Sequence, residues 1–157
     1  MPTPKQRYLL DLNRKGFIKD ASQARTVDAL EDLYKRLLVV HGQRPVGFLR
    51  RLTKVFVKSP LQPETGLYLW GGVGRGKTYL MDNFYESLPF ERKMRVHFHR
   101  FMRRVHQDLR LLDGQVNPLH KVADRIADEA CIICFDEFFV SDIGDKELIE
   151  ANNAGFI

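Results

Sequence analysis

With 157 residues, 44% hydrophobic and 29% charged, the chain has the composition of one globular domain, without low-complexity tracts or repeats. No apolar run approaches the roughly 20 residues of a membrane span, and the start Met1, Pro2, Thr3, Pro4 lacks an apolar signal core, so a cytoplasmic protein is expected. The net charge of +5 is uneven: residues 1–60 hold 13 Lys and Arg against 5 Asp and Glu, and residues 61–157 hold 12 against 15. A basic leader on a mildly acidic body fits an acidic partner or a merely solubilising surface.

Residues 1–20 are weakly patterned, although Tyr8, Leu9 and Leu12 suit a short helical turn against the core. Ser22–Val40 reads as a helix, with Ala24, Val27, Leu30, Leu33, Tyr34, Leu37 and Leu38 on one face and Gly42 as its stop. The pairs Glu31 with Lys35 and Asp32 with Arg36 add support at i,i+4 spacing. Residues 48–58 put Phe48, Leu49, Leu52, Val55 and Phe56 beside Arg50, Arg51, Lys54 and Lys58. This basic amphipathic segment suits docking on its own core, on a partner, or on an anionic membrane surface.

Next comes an apolar run, Leu67 to Trp70, expected as a strand with Trp70 in the core. It feeds Gly71, Gly72, Val73, Gly74, Arg75, Gly76, Lys77 and Thr78, a complete phosphate loop of the form G-x-x-x-x-G-K-[ST]. Its glycines let successive N–H groups turn inward, Lys77 brings a point charge to the terminal phosphates, and Thr78 offers a hydroxyl to magnesium. The helix expected behind the loop, Thr78–Leu88, carries Leu80, Met81, Phe84, Tyr85 and Leu88 and stops at Pro89. Arg95–His99 reads as a second strand, Phe101–Leu112 as an arginine-rich helix, and Asn117–Glu129 as a helix with Asn117 as its N-cap.

The run from Cys131 to Phe135 is an apolar strand ending in Asp136 and Glu137, the form of a Walker B element. Ligands bind at the carboxyl ends of strands in open α/β sheets, so Asp136 is read as the magnesium carrier and Glu137 as the group that polarises the attacking water. Lys77 joins Glu137 as a catalytic candidate. The adjacent glutamate, and the lack of any Asn-Lys-x-Asp, favour an ATPase over a switch GTPase. The alternation of elements expects an α/β fold with a parallel sheet and flanking helices. A basic helical N-terminal extension over residues 1–65 would precede the first part of an ATPase domain over residues 66–157.

Three runs together carry a family resemblance: Leu67 to Thr78, Val96 to Met102, and Cys134 to Ile143. They resemble the ZapE-like cell division ATPases, a branch of the AAA+ P-loop NTPases with mitochondrial relatives, over about Tyr8 to Gly144. The resemblance implies ATP hydrolysis with Mg2+, remodelling of the division ring, and the tubulin-like FtsZ as partner at the division site. Nucleic acid is disfavoured as a partner, and homo-oligomer formation is left open. The other readings are a binding module without turnover and a nucleic-acid-stimulated ATPase such as a helicase loader.

Two constellations are declined. Cys131 and Cys134 lie about 10 Å apart on an extended strand with side chains on opposite faces, too far for a disulfide, and read as small buried residues. His97 and His99 share a strand face, but spacing fixes no third metal ligand among His106 or His120, so they are read as hydrogen-bonded within the fold. Arg100, Arg103, Arg104 and Arg110 are a weaker contact surface. After Asp145 the family pattern stops, which expects an incomplete sheet lacking its sensor strand, with a gap of roughly 10 Å between the motif strands. Weak ATP binding and poor hydrolysis by this chain follow as expectations.

Overall fold

The computed structural model describes residues 1–14, 20–42 and 64–138. The expected basic amphipathic segment 48–58 and the expected departure after Asp145 lie outside them.

Helix α1, Pro4–Leu12, opens with a capping box: the Thr3 hydroxyl accepts the Gln6 N–H at 3.3 Å and Gln6 Oε1 accepts the Thr3 N–H at 3.0 Å. Tyr8 faces inward, whereas Leu9, expected in the core, is exposed. Helix α2, Ala21–Gly42, buries Val27, Leu30, Leu33, Tyr34 and Leu37 on the face that the periodicity defines. Helix α3, Lys77–Ser87, lies against both. Tyr79 donates its hydroxyl to Asp11 at 2.6 Å, Asn83 Nδ2 donates to the Pro4 carbonyl at 3.2 Å, and Arg7 pairs with Glu86. Burial first, and the Asp11 carboxylate second, push the Tyr79 hydroxyl pKa well above its ordinary value.

Strand β1 is Lys93–His97 and helix α4 follows at once as Phe98–Leu111. The expected strand ran two residues further, and the helix was expected to begin only at Phe101. Helical spacing wins because Phe98, Phe101, Met102 and Val105 all become buried on one helical face once the helix starts at Phe98. Helix α5 is Pro118–Glu129; Asn117 precedes it in a left-handed conformation (φ 52) and makes no side-chain capping bond. Asparagine serves here through its tolerance of that backbone region rather than as the expected hydrogen-bonding cap.

Strand β2, Ile132–Asp136, pairs in parallel with β1, setting Arg95 opposite Cys134 and His97 opposite Asp136. Alternation along β2 sends Ile132 and Cys134 into a cluster with α1, α2 and α3, and Ile133 and Phe135 into a second cluster with α4 and α5. Helices on both faces of a parallel sheet make the expected α/β architecture.

Residues 67–70 differ from the expected strand: they join no ladder, since β1 and β2 are the only strands among the described residues. Their side chains still alternate. Leu67 and Leu69 pack on the first cluster, while Tyr68 is 66% and Trp70 83% exposed, so Trp70 is not a core residue.

Candidate functional site

The phosphate loop emerges where this alternating segment turns into α3. Gly74 and Gly76 both take φ +78, which favours glycine at each; a Cβ on Gly76 would also come within 2.8 Å of Gln23 Nε2 and displace that side chain from its bond to the loop. No side chain caps the start of α3, leaving its first N–H groups unsatisfied, which makes that end a ready anion site. Lys77 Nζ donates to the Gly71 carbonyl at 2.6 Å and to the Gly72 carbonyl at 2.8 Å. An ammonium has three protons, so this strap closes the loop and keeps one donor for a ligand. Val73 and Thr78 are exposed.

The N-terminal helices reach this loop. Gln23 Nε2 donates to the Arg75 carbonyl at 3.2 Å, and the Arg75 guanidinium lies 3.3 Å from Asp20. The Ser22 backbone N–H, with Arg75 assisting, holds the Asp20 carboxyl below its ordinary pKa. The expected ligand-binding Arg75 is therefore tied by its side chain to the start of α2, a contact no local motif announces.

Asp136 sits at the far end of the sheet face that α3 covers, and Glu137 follows it past the strand end. Lys93 Nζ donates to the Tyr85 and Leu88 carbonyls at 2.6 and 2.9 Å, marking where α3 ends beside the start of β1. Arg95 then meets Asp82 one and a half turns earlier on α3, at 2.8 Å. At about 1.5 Å per helical residue and about 3.3 Å per strand residue, the same progression sets the first turn of α3 beside the carboxyl ends of β1 and β2. A ring contact makes the same join: Tyr68, leading into the loop, meets Phe138, just past Glu137, with centroids 5.9 Å apart.

Asp136 is bonded already, for Arg95 Nη2 donates to its Oδ2 at 2.8 Å. The Arg95–Asp82 approach is equally short but lies off the N–H direction, an ion pair rather than a hydrogen bond. Neither Arg95 nor Asp82 stood among the sequence candidates; Asp82, four residues past Thr78 on the same helix, was the available signal. Glu137 is exposed and left-handed, with φ 53.

The residues fit a magnesium nucleotide. The donor set of Thr78 hydroxyl and Asp136 carboxylate is all oxygen, as a hard cation requires, and the uncapped helix end with its strapped lysine suits a polyphosphate.

The declined constellations resolve differently. His97 closes β1 while His99 lies in α4, and their rings stack at 5.9 Å. The expected internal hydrogen bond is missing at His97 Nδ1, which is buried without a partner. No group of three metal-binding side chains occurs among the described residues. Cys131 and Cys134 form no disulfide and pack against the same cluster rather than opposite faces, because Cys131 precedes the strand; the Cys131 thiol donates to the Arg92 carbonyl at 2.8 Å, and burial pushes the Cys134 pKa up to about 12. On α4, Arg104 Nη1 donates to Glu129 Oε2 at 2.7 Å and its Nη2 to Oε1, removing Arg104 from the expected contact surface. None of the described helices is long and apolar enough to cross a membrane.

Comparison with known proteins gives the family. The model of the AFG1-like ATPase family matches residues 2–151, so the family pattern continues past Asp145, where it was expected to stop. The chain is 49% identical over 152 residues to the "Cell division protein ZapE" of Escherichia coli, covering 94% of this chain and 40% of that protein. It is 42% identical over 103 residues to "Lactation elevated protein 1 homolog B" of Danio rerio, covering 59% of this chain and 20% of that protein. The chain thus spans well under half the length of these curated relatives. No solved structure matches. A phosphate loop strapped by its own lysine, joined to an acidic strand end, accords with that match, and the chain belongs to the AFG1-like ATPase family.

Proposed function

We propose that this chain forms the nucleotide-binding part of a magnesium-dependent ATPase that hydrolyses ATP. The Lys77 strap across Gly71 and Gly72 carries the reading, because it closes the loop around an uncapped helix end and spares one ammonium proton. The backbone N–H groups of Gly72 to Thr78 would wrap the phosphates, and Lys77 would reach their terminal oxygens. Thr78 and Asp136 would hold the magnesium, which supplies charge neutralisation at the transferring phosphoryl group. Glu137, exposed beyond β2, would take the proton of the attacking water. Titration with a fluorescent ATP analogue and magnesium tests this: Lys77→Ala is expected to weaken binding at least about tenfold, as the loss of a charge-assisted contact requires. Equal affinities for both proteins would sink the reading.

The Escherichia coli relative is named for cell division. Together with the ZapE-like motifs, this supports a cytoplasmic role at the division site, with FtsZ polymer as the partner on which hydrolysis acts. Co-pelleting with FtsZ filaments, enriched by ATP over ADP, is the expected outcome; recovery no greater than without filaments removes that partner.

A further inference from the structure

We infer that Arg95 is a positioning residue for the metal-carrying carboxylate, anchored by Asp82, and that this trio excludes a divalent cation until nucleotide arrives. The inference rests on the proposed reading of Asp136 as the magnesium carrier.

Three elements contribute one side chain each to the same sheet face: Asp82 from α3, Arg95 from β1 and Asp136 from β2. A guanidinium is a rigid planar fork. The ion pair of Nη1 with Asp82 at 2.8 Å draws the guanidinium between the two carboxylates, and Nη2 donates to Oδ2 of Asp136 at 2.8 Å. Oδ1 of Asp136 is thereby left as the oxygen for the cation's water shell. The arrangement also sets charge. Within the trio two carboxylates and one guanidinium sum to one negative charge; Glu137, exposed just past β2, adds a second, and Lys77 on the loop offsets one. Magnesium sheds water reluctantly and settles on one or two carboxylates plus phosphate oxygens, so a site whose carboxylates are largely offset by Arg95 and Lys77 holds it poorly without a triphosphate. Asp82 matters as much as Arg95, since without it the guanidinium would bear wholly on Asp136.

Opposite signs follow for the two partners, which a merely structural role would not produce. Nucleotide-free protein is titrated with Mn2+, read by electron paramagnetic resonance, with thermal melting as the check on folding. Arg95→Met is expected to bind Mn2+ about tenfold more tightly than wild type, the effect of removing one nearby like charge. Asp82→Asn is expected to bind it more weakly. Arg95→Lys, keeping the charge but not the fork, is expected to leave Mn2+ affinity near wild type while kcat falls and KM holds. Arg95→Met binding no tighter than wild type overturns the inference. Should that variant fail to fold, Asp82→Asn decides, and unchanged or tighter binding there overturns it equally. Failure of the ATP-binding proposal registers separately, as equal nucleotide affinity in wild type and Lys77→Ala, with the Mn2+ comparison still readable.

Discussion

Glu137 holds a backbone conformation, φ 53, that costs an L side chain about 1–2 kcal/mol, directly after the strand that ends in Asp136. Strain of this kind persists where a side chain must be aimed, which supports the water-polarising role proposed for Glu137. Glycine has no such penalty. Glu137→Gly is therefore expected to raise the unfolding free energy by up to about 1 kcal/mol in urea titrations, after the greater entropy of glycine in the unfolded chain is offset. The same variant should lose ATP turnover while keeping nucleotide binding. A destabilised variant, or one with wild-type turnover, would contradict the assigned role. Arg95 and Asp82 show the other side of residue-scale reading. The loop from Gly71 to Thr78 is contiguous and announces itself, whereas the Asp82, Arg95, Asp136 contact needs a helix and two strands in a given register.

Elements with long, unbroken periodicity were the legible ones: α2, α3 and α5 begin and end within two residues of their expected bounds. Misreadings arose where two periods overlap. Val96, Phe98 and the flanking histidines alternate like a strand, yet Phe98 also begins the spacing that buries α4 against the sheet, and burial of its ring decides. Trp70 was misplaced because an apolar run does not tell which of two alternating faces is covered; Leu67 and Leu69 have a core beneath them and Trp70 does not. Between α4 and α5, the fork of Arg104 on Glu129 lowers that carboxyl below its ordinary 4.5, chiefly through the hydrogen bond and against partial burial. A lowered folded-state pKa means stability present above 4.5 and lost as pH falls through the folded value. Both side chains are about two-fifths exposed, so the contribution is about 0.2–1 kcal/mol. Glu129→Gln should be less stable than wild type by that amount at pH 7, and the difference should shrink as pH falls below 4.5 and Glu129 takes up its proton in the folded state. A difference constant from pH 7 to 3 would show that the pair is not its source.

At the scale of the whole molecule, the question is whether the N-terminal helices form a unit apart from the nucleotide site. Tyr8 of α1, Leu30 and Leu33 of α2, Leu80 and Phe84 of α3, and Ile132 and Cys134 of β2 lie in one cluster of buried side chains. Polar contacts follow the same route: Tyr79 to Asp11, Asn83 to Pro4, and Gln23 to the loop carbonyl of Arg75. A cluster shared in this way should open as one cooperative unit, so damage to α2 should be felt in the helix that starts at Lys77. Leu30 is fully buried, and truncating such a leucine to alanine costs about 2–5 kcal/mol. Leu30→Ala is expected to speed hydrogen exchange of the slowest α2 and α3 amides by the same factor, because both are released by the same opening. Protection lost in α2 alone, with α3 amides exchanging as in wild type, would mean that the leader folds by itself. The tie between Gln23 and Arg75 would then be a surface contact rather than a path by which the extension supports the phosphate loop.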